Sequence, residues 1–248
     1  MGRVAAATPD AAIDDRPGRR LVRRLTSDHV AEQLREMIFS GELRPGDRVP
    51  QDEIAAQIGV SRLPVREALQ VMERDGLITI KPHLGAFVAP FDAQVVRDHF
   101  EIVGLVQGLA ASRLAERGDP ELLDRLEAIT EQIGTTRQQD RVHELTLEFY
   151  RFINREGASS RQRSVLRALS RMLPSGFFLD IAGATESERT GAQRIWRAIA
   201  SGDSDAVHKT CLAVQRERAE MVVEMLQAKG VFSDAGATVP RRNAKKAL

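Results

Sequence analysis

The spacing of apolar residues over the first ninety positions predicts three short helices followed by a β-hairpin. Apolar side chains recur every three or four residues over 27–40, 51–58 and 61–75, which is the period of a helix with one buried face. Residues 77–80 and 86–88 are typical of two strands joined by a tight turn. Because only two residues separate the second predicted helix from the third, their spacing is that of a helix-turn-helix, and the hairpin completes a winged helix.

From about residue 92 onward the apolar period is helical throughout, which predicts a helical bundle. The predicted helices are 95–117, 121–133, 142–153, 161–173, 195–200 and 207–225. The chain is therefore expected to be mainly α, with a winged helix-turn-helix domain at 21–90 and an all-helical domain at 91–228. Residues 1–20 and 229–248 lack such a period and are expected to be flexible tails.

Composition is that of a globular protein, but it does not identify a binding partner. Apolar residues make up 42% of the 248 residues, which is enough for globular cores. The one cysteine, Cys211, excludes an intrachain disulfide and suits a reducing cytoplasm. No apolar run is long enough to cross a membrane. The formal net charge is only +1, so any case for DNA depends on how the basic side chains are arranged.

The third predicted helix has the features of a DNA recognition helix. Ser61 can cap its first amides, and Pro64 falls in the first turn, where a missing N–H costs little. Arg62 and Arg66 lie one turn apart on the outward face. In a major groove their guanidinium groups can reach guanine edges or bind phosphates. We expect Arg62 to face bases, and Arg66 to face bases or phosphate.

Motifs that follow one another over about residues 26–90 resemble those of the GntR family of bacterial transcription regulators. They are Ser40-Gly41-Glu42-Leu43-Arg44-Pro45-Gly46, Gly59-Val60-Ser61-Arg62, Pro64-Val65-Arg66-Glu67-Ala68-Leu69, Asp75-Gly76-Leu77 and Gly85-Ala86-Phe87-Val88. The resemblance implies a homodimer, expected to be a repressor, that binds a palindromic double-stranded operator through two recognition helices. The residues expected to contact DNA are Ser61, Arg62, Leu63, Pro64, Arg66, Lys81, His83 and Gly85.

Two positions depart from the family pattern. Gln51-Asp52 stands where the family often has Glu-Arg, and the resemblance implies that this arginine helps to hold DNA. Asp52 would instead repel phosphate, so this contact is expected to be lost. Leu63 stands where threonine is common and offers an apolar contact, for example to a thymine methyl group.

Two stretches in the second half, 108–115 and 198–203, resemble the FCD ligand-binding domain found on the FadR-like branch of the family. In most such domains one Asp and three His hold a divalent metal, which binds a carboxylate effector. The register of the resemblance places four residues of this chain at those positions: Thr146, Tyr150, Ala192 and Val214, or Gln215 if the register slips by one. These side chains cannot replace the ligand set, so we expect no metal.

The same resemblance implies an effector cavity inside the bundle. Its expected lining is Val103, Gln107, Thr146, Tyr150, Ala192 and Val214, with Val103 where many FCD domains have an arginine. A mostly apolar cavity would be costly for an anion and favourable for an apolar chain, which predicts a lipophilic effector such as a fatty acid or acyl-CoA. The alternatives are a metal-dependent sensor of a small organic acid, or a DNA-binding dimer without a ligand.

No catalytic site is expected. The sequence has no glycine-framed nucleophile turn and no Gly-rich phosphate loop, and its five histidines do not form a ligand motif. The sequence therefore predicts neither an enzyme nor a cofactor.

Overall fold

The computed structural model describes residues 17–232, with side chains from residue 26 onward. Most of the predicted tails at 1–20 and 229–248 lies outside this range. The fold is mainly α-helical and begins with a winged helix-turn-helix, as predicted. The elements are α1 (Pro17–Ser40), α2 (Gln51–Ile58), α3 (Arg62–Arg74), β1 (Ile78–Lys81), β2 (Gly85–Val88), α4 (Ala93–Arg117), α5 (Pro120–Thr135), α6 (Gln139–Gly157), α7 (Ser160–Leu169), a 3-10 helix (Phe177–Asp180), α8 (Ala184–Ala200) and α9 (Ser204–Ala228). Within this part of the chain, no helix has the length and apolar character needed to cross a membrane.

One apolar face of α3 fixes the winged helix. Val65 and Leu69 are at most 2% exposed and belong to a buried cluster that also contains the inward face of α1. Gly59, with a φ of +75°, ends α2 in the left-handed conformation and leads the chain directly into α3. Strands β1 and β2 pair antiparallel, with Ile78 opposite Val88, and form the wing.

Helices α4 and α9 run antiparallel and in close contact along the bundle. A Cβ at Gly104 of α4 would lie 3.1 Å from the Cα of Leu212 of α9, so a larger residue there would push the two helices apart by a few tenths of an ångström. On α6, a Cβ at Gly157 would overlap the carbonyl oxygen of Ala110. Glycine at these two positions therefore allows α4 to lie close to both α9 and α6.

Two helices of the bundle have different bounds from those predicted. Helix α7 ends at Leu169 rather than at 173, before Pro174, which disfavours a helical residue ahead of it. Helix α8 was predicted only over 195–200 but begins at Ala184. The buried positions of its first half are Ala184, Glu188, Gly191 and Ala192, which are small or charged. The apolar period that would indicate a helix is therefore missing from the sequence there.

Both ends of the folded region extend further than predicted. Helix α1 begins at Pro17, inside the expected N-terminal tail. At the other end, the side chain of Val231 is 0% exposed, and the ring of Phe232 lies 5.8 Å from that of Phe91. Val231 therefore belongs to the core and Phe232 packs against it, although both lie in the predicted C-terminal tail.

The winged helix and the bundle share one apolar core. Phe39 of α1 has its ring 5.8 Å from Phe91 and 5.3 Å from Phe177, which lies in the connection between α7 and α8. Residues from the end of α9, such as Val222 and Leu226, belong to the same buried cluster. Hydrophobic burial therefore couples the position of the winged helix to that of the α7–α8 connection.

Candidate functional sites

The outward face of α3 carries the predicted DNA-contacting side chains, with one exception. Ser61, Arg62, Leu63 and Arg66 are all exposed. Pro64 is buried among the core side chains of α3, so it does not lie on this outward face. Ser61 occupies the N-cap position, but its hydroxyl accepts no capping hydrogen bond, contrary to the expectation from the sequence. This leaves the Ser61 hydroxyl available to an outside partner.

Arg62 is held by a residue of the preceding helix. The Nε of Arg62 lies 2.6 Å from Oδ1 of Asp52, and its Nη2 donates to Oδ2 at 2.8 Å. Both side chains remain largely exposed, at 75% and 66%. This bidentate pair occupies the Nε–Nη2 edge of the guanidinium, and Nη1 at the other edge takes no part in it. The sequence shows both residues but not this contact, because they belong to different helices.

The wing presents a short polar tip. Lys81 and His83 are exposed, and His83 adopts a positive φ of 60° in the turn. The Nζ of Lys81 lies 4.7 Å from the centre of the Phe87 ring. Gly85, with a φ of +107°, lies against the guanidinium of Arg48, where a Cβ would come within 3.2 Å of Nε. Arg48 is therefore an additional basic group at the wing, which the sequence motifs did not indicate.

A cavity of about 550 Å³ opens between α4, α6, α7, α9 and the α7–α8 connection. Of the predicted lining residues, Val103, Gln107 and Tyr150 lie on its wall. Apolar side chains on the wall include Phe100, Val103, Leu147, Leu166, Leu169, Leu173, Phe177 and Phe178. Such a volume is within the range of small-molecule binding sites.

Three of the predicted lining residues do not reach this wall. Thr146, Ala192 and Val214 are 1%, 1% and 2% exposed and lie in the core of the bundle. The packing there is tight, since a Cβ at Gly191 would lie 2.9 Å from Cγ1 of Val214. These side chains fill the space that we expected to be open.

The residues at the family's metal-binding positions do not fit a metal. Ala192 and Val214 offer no donor atom, and the buried Oγ1 of Thr146 has no hydrogen-bond partner at all. In the described range 17–232, no group of three or more His, Cys, Asp or Glu side chains is arranged to hold an ion. The absence of a metal remains a prediction, which elemental analysis can test.

The cavity wall is rich in arginine and also carries two histidines. Its basic members are His99, His143, Arg151, Arg155, Arg163, Arg167 and Arg218. Among the described residues, no Asp or Glu lines it. The expectation that an anion would find no counter-charge in this cavity was therefore wrong. The expectation of apolar walls agrees in part with the Phe, Leu and Val side chains there. Burial lowers the pKa of His99 to about 4, so this imidazole is neutral near pH 7.

A polar cluster lies at the buried side of the cavity. Glu188 of α8 accepts a hydrogen bond from Nδ1 of His143 on α6 at 2.8 Å, and its Oε1 is 3.6 Å from Nη2 of Arg218 on α9. The guanidinium of Arg218 lies over the rings of Phe178 and Tyr150, at 4.3 and 5.4 Å. Burial raises the pKa of the Tyr150 hydroxyl, against the opposing charge of Arg218.

The α7–α8 connection joins the cavity wall to the winged helix. Ser175 lines the cavity and donates its amide to the carboxylate of Glu32 on α1. Arg171 lies 3.7 Å from the carboxylate of Asp75, the C-cap residue of α3, which also contacts Arg35 at 3.3 Å. A displacement of this wall would therefore reach both α1 and the recognition helix.

The sequence and the fold are similar to known regulators. Residues 26–88 match the family model of bacterial regulatory proteins of the gntR family, and residues 98–216 match the model of the FCD domain. An uncharacterized HTH-type transcriptional regulator of Mycobacterium tuberculosis, Rv0043c, is 31% identical over 224 residues, which is 86% of this chain and 91% of that protein. The Escherichia coli regulator YieP is 26% identical over 210 residues, 75% of this chain and 91% of that protein.

Solved structures show the same fold. E. coli McbR/YncC superposes with a TM-score of 0.56 at 18% identity, over 80% of this chain and 97% of that one. Lar, which controls the expression of the Listeria monocytogenes agr system, gives a TM-score of 0.54 at 19% identity, over 80% and 96% of the two chains. The two matched models cover most of the described chain, and residues 89–97, around the start of α4, lie between them. The chain therefore belongs to the GntR family of DNA-binding transcription regulators, with an FCD domain following its winged helix.

Proposed function

We propose that this protein is a homodimeric repressor that binds a palindromic operator in the cytoplasm and changes its DNA affinity when a small molecule occupies the FCD cavity. The observation that carries the proposal is the exposed pair Arg62 and Arg66 on the face of α3 that points away from the core. In a dimer, two such helices would contact two half-sites about one turn of DNA apart, and a twofold dimer requires a palindrome. The cytoplasm follows because that is where bacterial DNA lies.

A row of apolar side chains on α4 supports the homodimer. Val95, Ile102, Leu105 and Leu109 are 45–50% exposed and follow one another at helical spacing. An isolated exposed leucine is ordinary, but a continuous apolar row on a helix of this length marks an interaction surface. Packing this row against its own copy around a twofold axis would remove it from water.

The connection between cavity and winged helix supports regulation by a ligand. Ser175 and Phe177 belong to the cavity wall and at the same time contact α1. A ligand that binds one arrangement of this wall more tightly would shift the dimer between two DNA affinities.

For the effector we infer a lipophilic molecule of the fatty acid or acyl-CoA type. Rings and leucine side chains such as Phe100, Phe178 and Leu166 form much of the wall, and burying an apolar chain there gains about 25 cal/mol per Å². The metal-dependent alternative has no observation in its favour. A dimer without a ligand remains the alternative that the experiments below must exclude.

DNA binding is tested first. Genomic fragments selected by the full-length protein define the operator, and a mobility-shift titration then compares wild type, Arg62→Ala and Arg137→Ala. We expect Arg62→Ala to cost about 1–3 kcal/mol and to relax sequence preference. Arg137 is exposed in the connection between α5 and α6, so Arg137→Ala should bind as wild type does. Equal operator affinity of all three proteins would contradict the proposed docking.

Regulation is tested on the same operator. The complex is titrated with fatty acids and acyl-CoA esters of increasing chain length, and the operator affinity is measured at each step. A chain-length-dependent change supports a lipophilic effector. No change with any of these compounds indicates a dimer without such a ligand, and a response that disappears with a chelator would restore the metal-dependent alternative.

A further inference from the structure

We propose that Leu63 makes the recognition helix specific for a thymine at one position of each operator half-site, by covering the C5-methyl group of that base. This inference rests on the proposed function and deepens it, because it requires α3 to enter the major groove and assigns part of the sequence that α3 reads.

Leu63 is an apolar exception on the outward face of α3. It is 46% exposed, whereas the apolar side chains that hold α3 to the core, such as Val65 and Leu69, are at most 2% exposed. Its neighbours on the exposed face, Arg62 and Arg66, are charged. Within the described part of the chain, Leu63 belongs to neither of the two buried apolar clusters. The packing of the winged helix therefore does not explain a leucine at this position.

The place of Leu63 in the fold distinguishes it from an isolated surface leucine. A single exposed leucine is ordinary on most of a protein surface. Leu63, however, is the second residue of α3, and the N-terminal residues of a recognition helix are those that contact base edges in the major groove. Docking of α3 would therefore bring this leucine against a base pair.

The chemistry of the major groove offers Leu63 one favourable partner. A leucine side chain has no hydrogen-bond donor or acceptor, so it cannot bind a phosphate or the polar edge of a base. Among the four bases, only thymine presents a methyl group there. Against the polar edge of guanine, adenine or cytosine, leucine would displace water without replacing its hydrogen bonds, which is unfavourable. The same contact would therefore favour thymine and disfavour the other bases.

The backbone that carries Leu63 is held in place on both sides. The next two residues, Pro64 and Val65, are buried in the core. The residue before it, Arg62, is bound to Asp52 of α2 at 2.6 and 2.8 Å. A leucine also loses less conformational freedom on binding than a longer polar side chain does. The contact with a methyl group is therefore favourable although its area is small.

The test removes one methyl group from the DNA and one side chain from the protein. In the operator selected by the full-length protein, each thymine of one half-site is replaced in turn by deoxyuridine, which lacks only the C5-methyl group. Fluorescence anisotropy then measures the operator affinity of wild type, Leu63→Ala and Leu84→Ala. Because Leu63 is exposed and alanine favours a helix, Leu63→Ala should fold as wild type does, which thermal unfolding checks.

Deoxyuridine at one thymine should weaken the binding of wild type about fourfold, the effect of exposing one buried methyl group to water. In Leu63→Ala the same replacement should change the affinity by less than about twofold, because the side chain that covers the methyl group is gone. Leu84→Ala is the matched control, since Leu84 is a 60% exposed leucine of the wing. Its deoxyuridine effect should equal that of wild type. Any effect of deoxyuridine on DNA shape would be the same in all three proteins.

Three results would overturn the proposal. They are a half-site without any thymine at which deoxyuridine weakens wild-type binding, an effect as large in Leu63→Ala as in wild type, and an effect reduced equally in Leu63→Ala and Leu84→Ala. Failure of the proposed DNA-binding function is a separate result. Wild type would then bind the unmodified operator no more tightly than DNA of random sequence, before any thymine is replaced.

Discussion

At the scale of residues, the pair formed by Asp52 and Arg62 changes what the recognition helix offers to DNA. From the sequence we expected Asp52 only to repel phosphate. In the structure its carboxylate holds Nε and Nη2 of Arg62 in a bidentate contact. The guanidinium is therefore oriented before DNA arrives, and the entropy cost of fixing a long side chain on binding is reduced.

We predict that Asp52→Ala lowers sequence discrimination more than it lowers affinity. Without its partner, Arg62 would sample more orientations. A bidentate contact to a base provides about 1–3 kcal/mol of discrimination, and the preference for the base pair that Arg62 reads should fall by a fraction of this amount. Loss of a negative charge would meanwhile favour DNA of any sequence. Fluorescence anisotropy on the operator and on single-base-pair variants measures both effects.

Glu53→Ala is the matched control for this prediction. Glu53 is exposed, adjacent in α2, and carries the same charge. If both variants change discrimination equally, the effect comes from net charge and not from the orientation of Arg62.

His99 gives a prediction for the dependence of stability on pH. Burial lowers its pKa to about 4 from the ordinary 6.5, so the folded protein keeps this imidazole neutral while the unfolded chain takes up a proton. Above pH 6.5 the imidazole is neutral in both the folded and the unfolded protein, and its titration does not affect stability. As the pH falls from 6.5 towards 4, only the unfolded chain is protonated, so the free energy of unfolding decreases by at most about 3 kcal/mol. Denaturant unfolding across this window should show a shallower loss for His99→Gln. His29→Gln, at an exposed position, should follow wild type.

At the scale of elements, α4 has two different faces. One face packs against α9, with Gly104 allowing close approach. The other carries the exposed apolar row that we assign to the dimer, Val95, Ile102, Leu105 and Leu109. The apolar period in the sequence predicted the helix correctly but could not separate these faces, because both are apolar.

We predict that Ile102→Glu weakens dimerisation without unfolding the bundle. Ile102 is 47% exposed in a single chain, so a charge is tolerated there until a second copy packs against it. Sedimentation equilibrium should show a shift towards monomer, and operator affinity should fall with it. Leu84→Glu, at a 60% exposed apolar residue of the wing, serves as the control and should leave the assembly unchanged. A dimer as stable as wild type in Ile102→Glu would place the interface elsewhere.

At the scale of the whole molecule, the α7–α8 connection links two functional regions. Arg171, in this connection, contacts Asp75 at the end of the recognition helix. We predict that Arg171→Ala leaves effector binding unchanged but reduces the effect of the effector on operator affinity by about 0.2–1 kcal/mol, the usual size of a partly exposed ion pair. Arg161→Ala, an exposed residue of α7, is the control. Operator titrations with and without octanoate measure the coupling, and an unchanged ratio in Arg171→Ala would exclude this route.

The sequence by itself determined the winged helix and the class of protein. Gly59, the arginines of α3 and the turn of the hairpin act on neighbours only a few residues away, so their effect can be seen in the order of residues. The second half was predicted as helical for the same reason. Where the local signal was weak, as in the first half of α8 with its buried Glu188, the prediction was incomplete.

Only the tertiary structure decided the chemistry of the cavity. Arg218, Glu188 and His143 come from three helices, and no spacing along the chain relates them. The register of the FCD resemblance identified Tyr150 on the wall but placed Val214 there as well, although packing against Gly191 buries that side chain. Contacts between distant segments, rather than the local sequence pattern, determine which side chains face the cavity. The reason is that the position of each helix depends on the packing of its whole buried face.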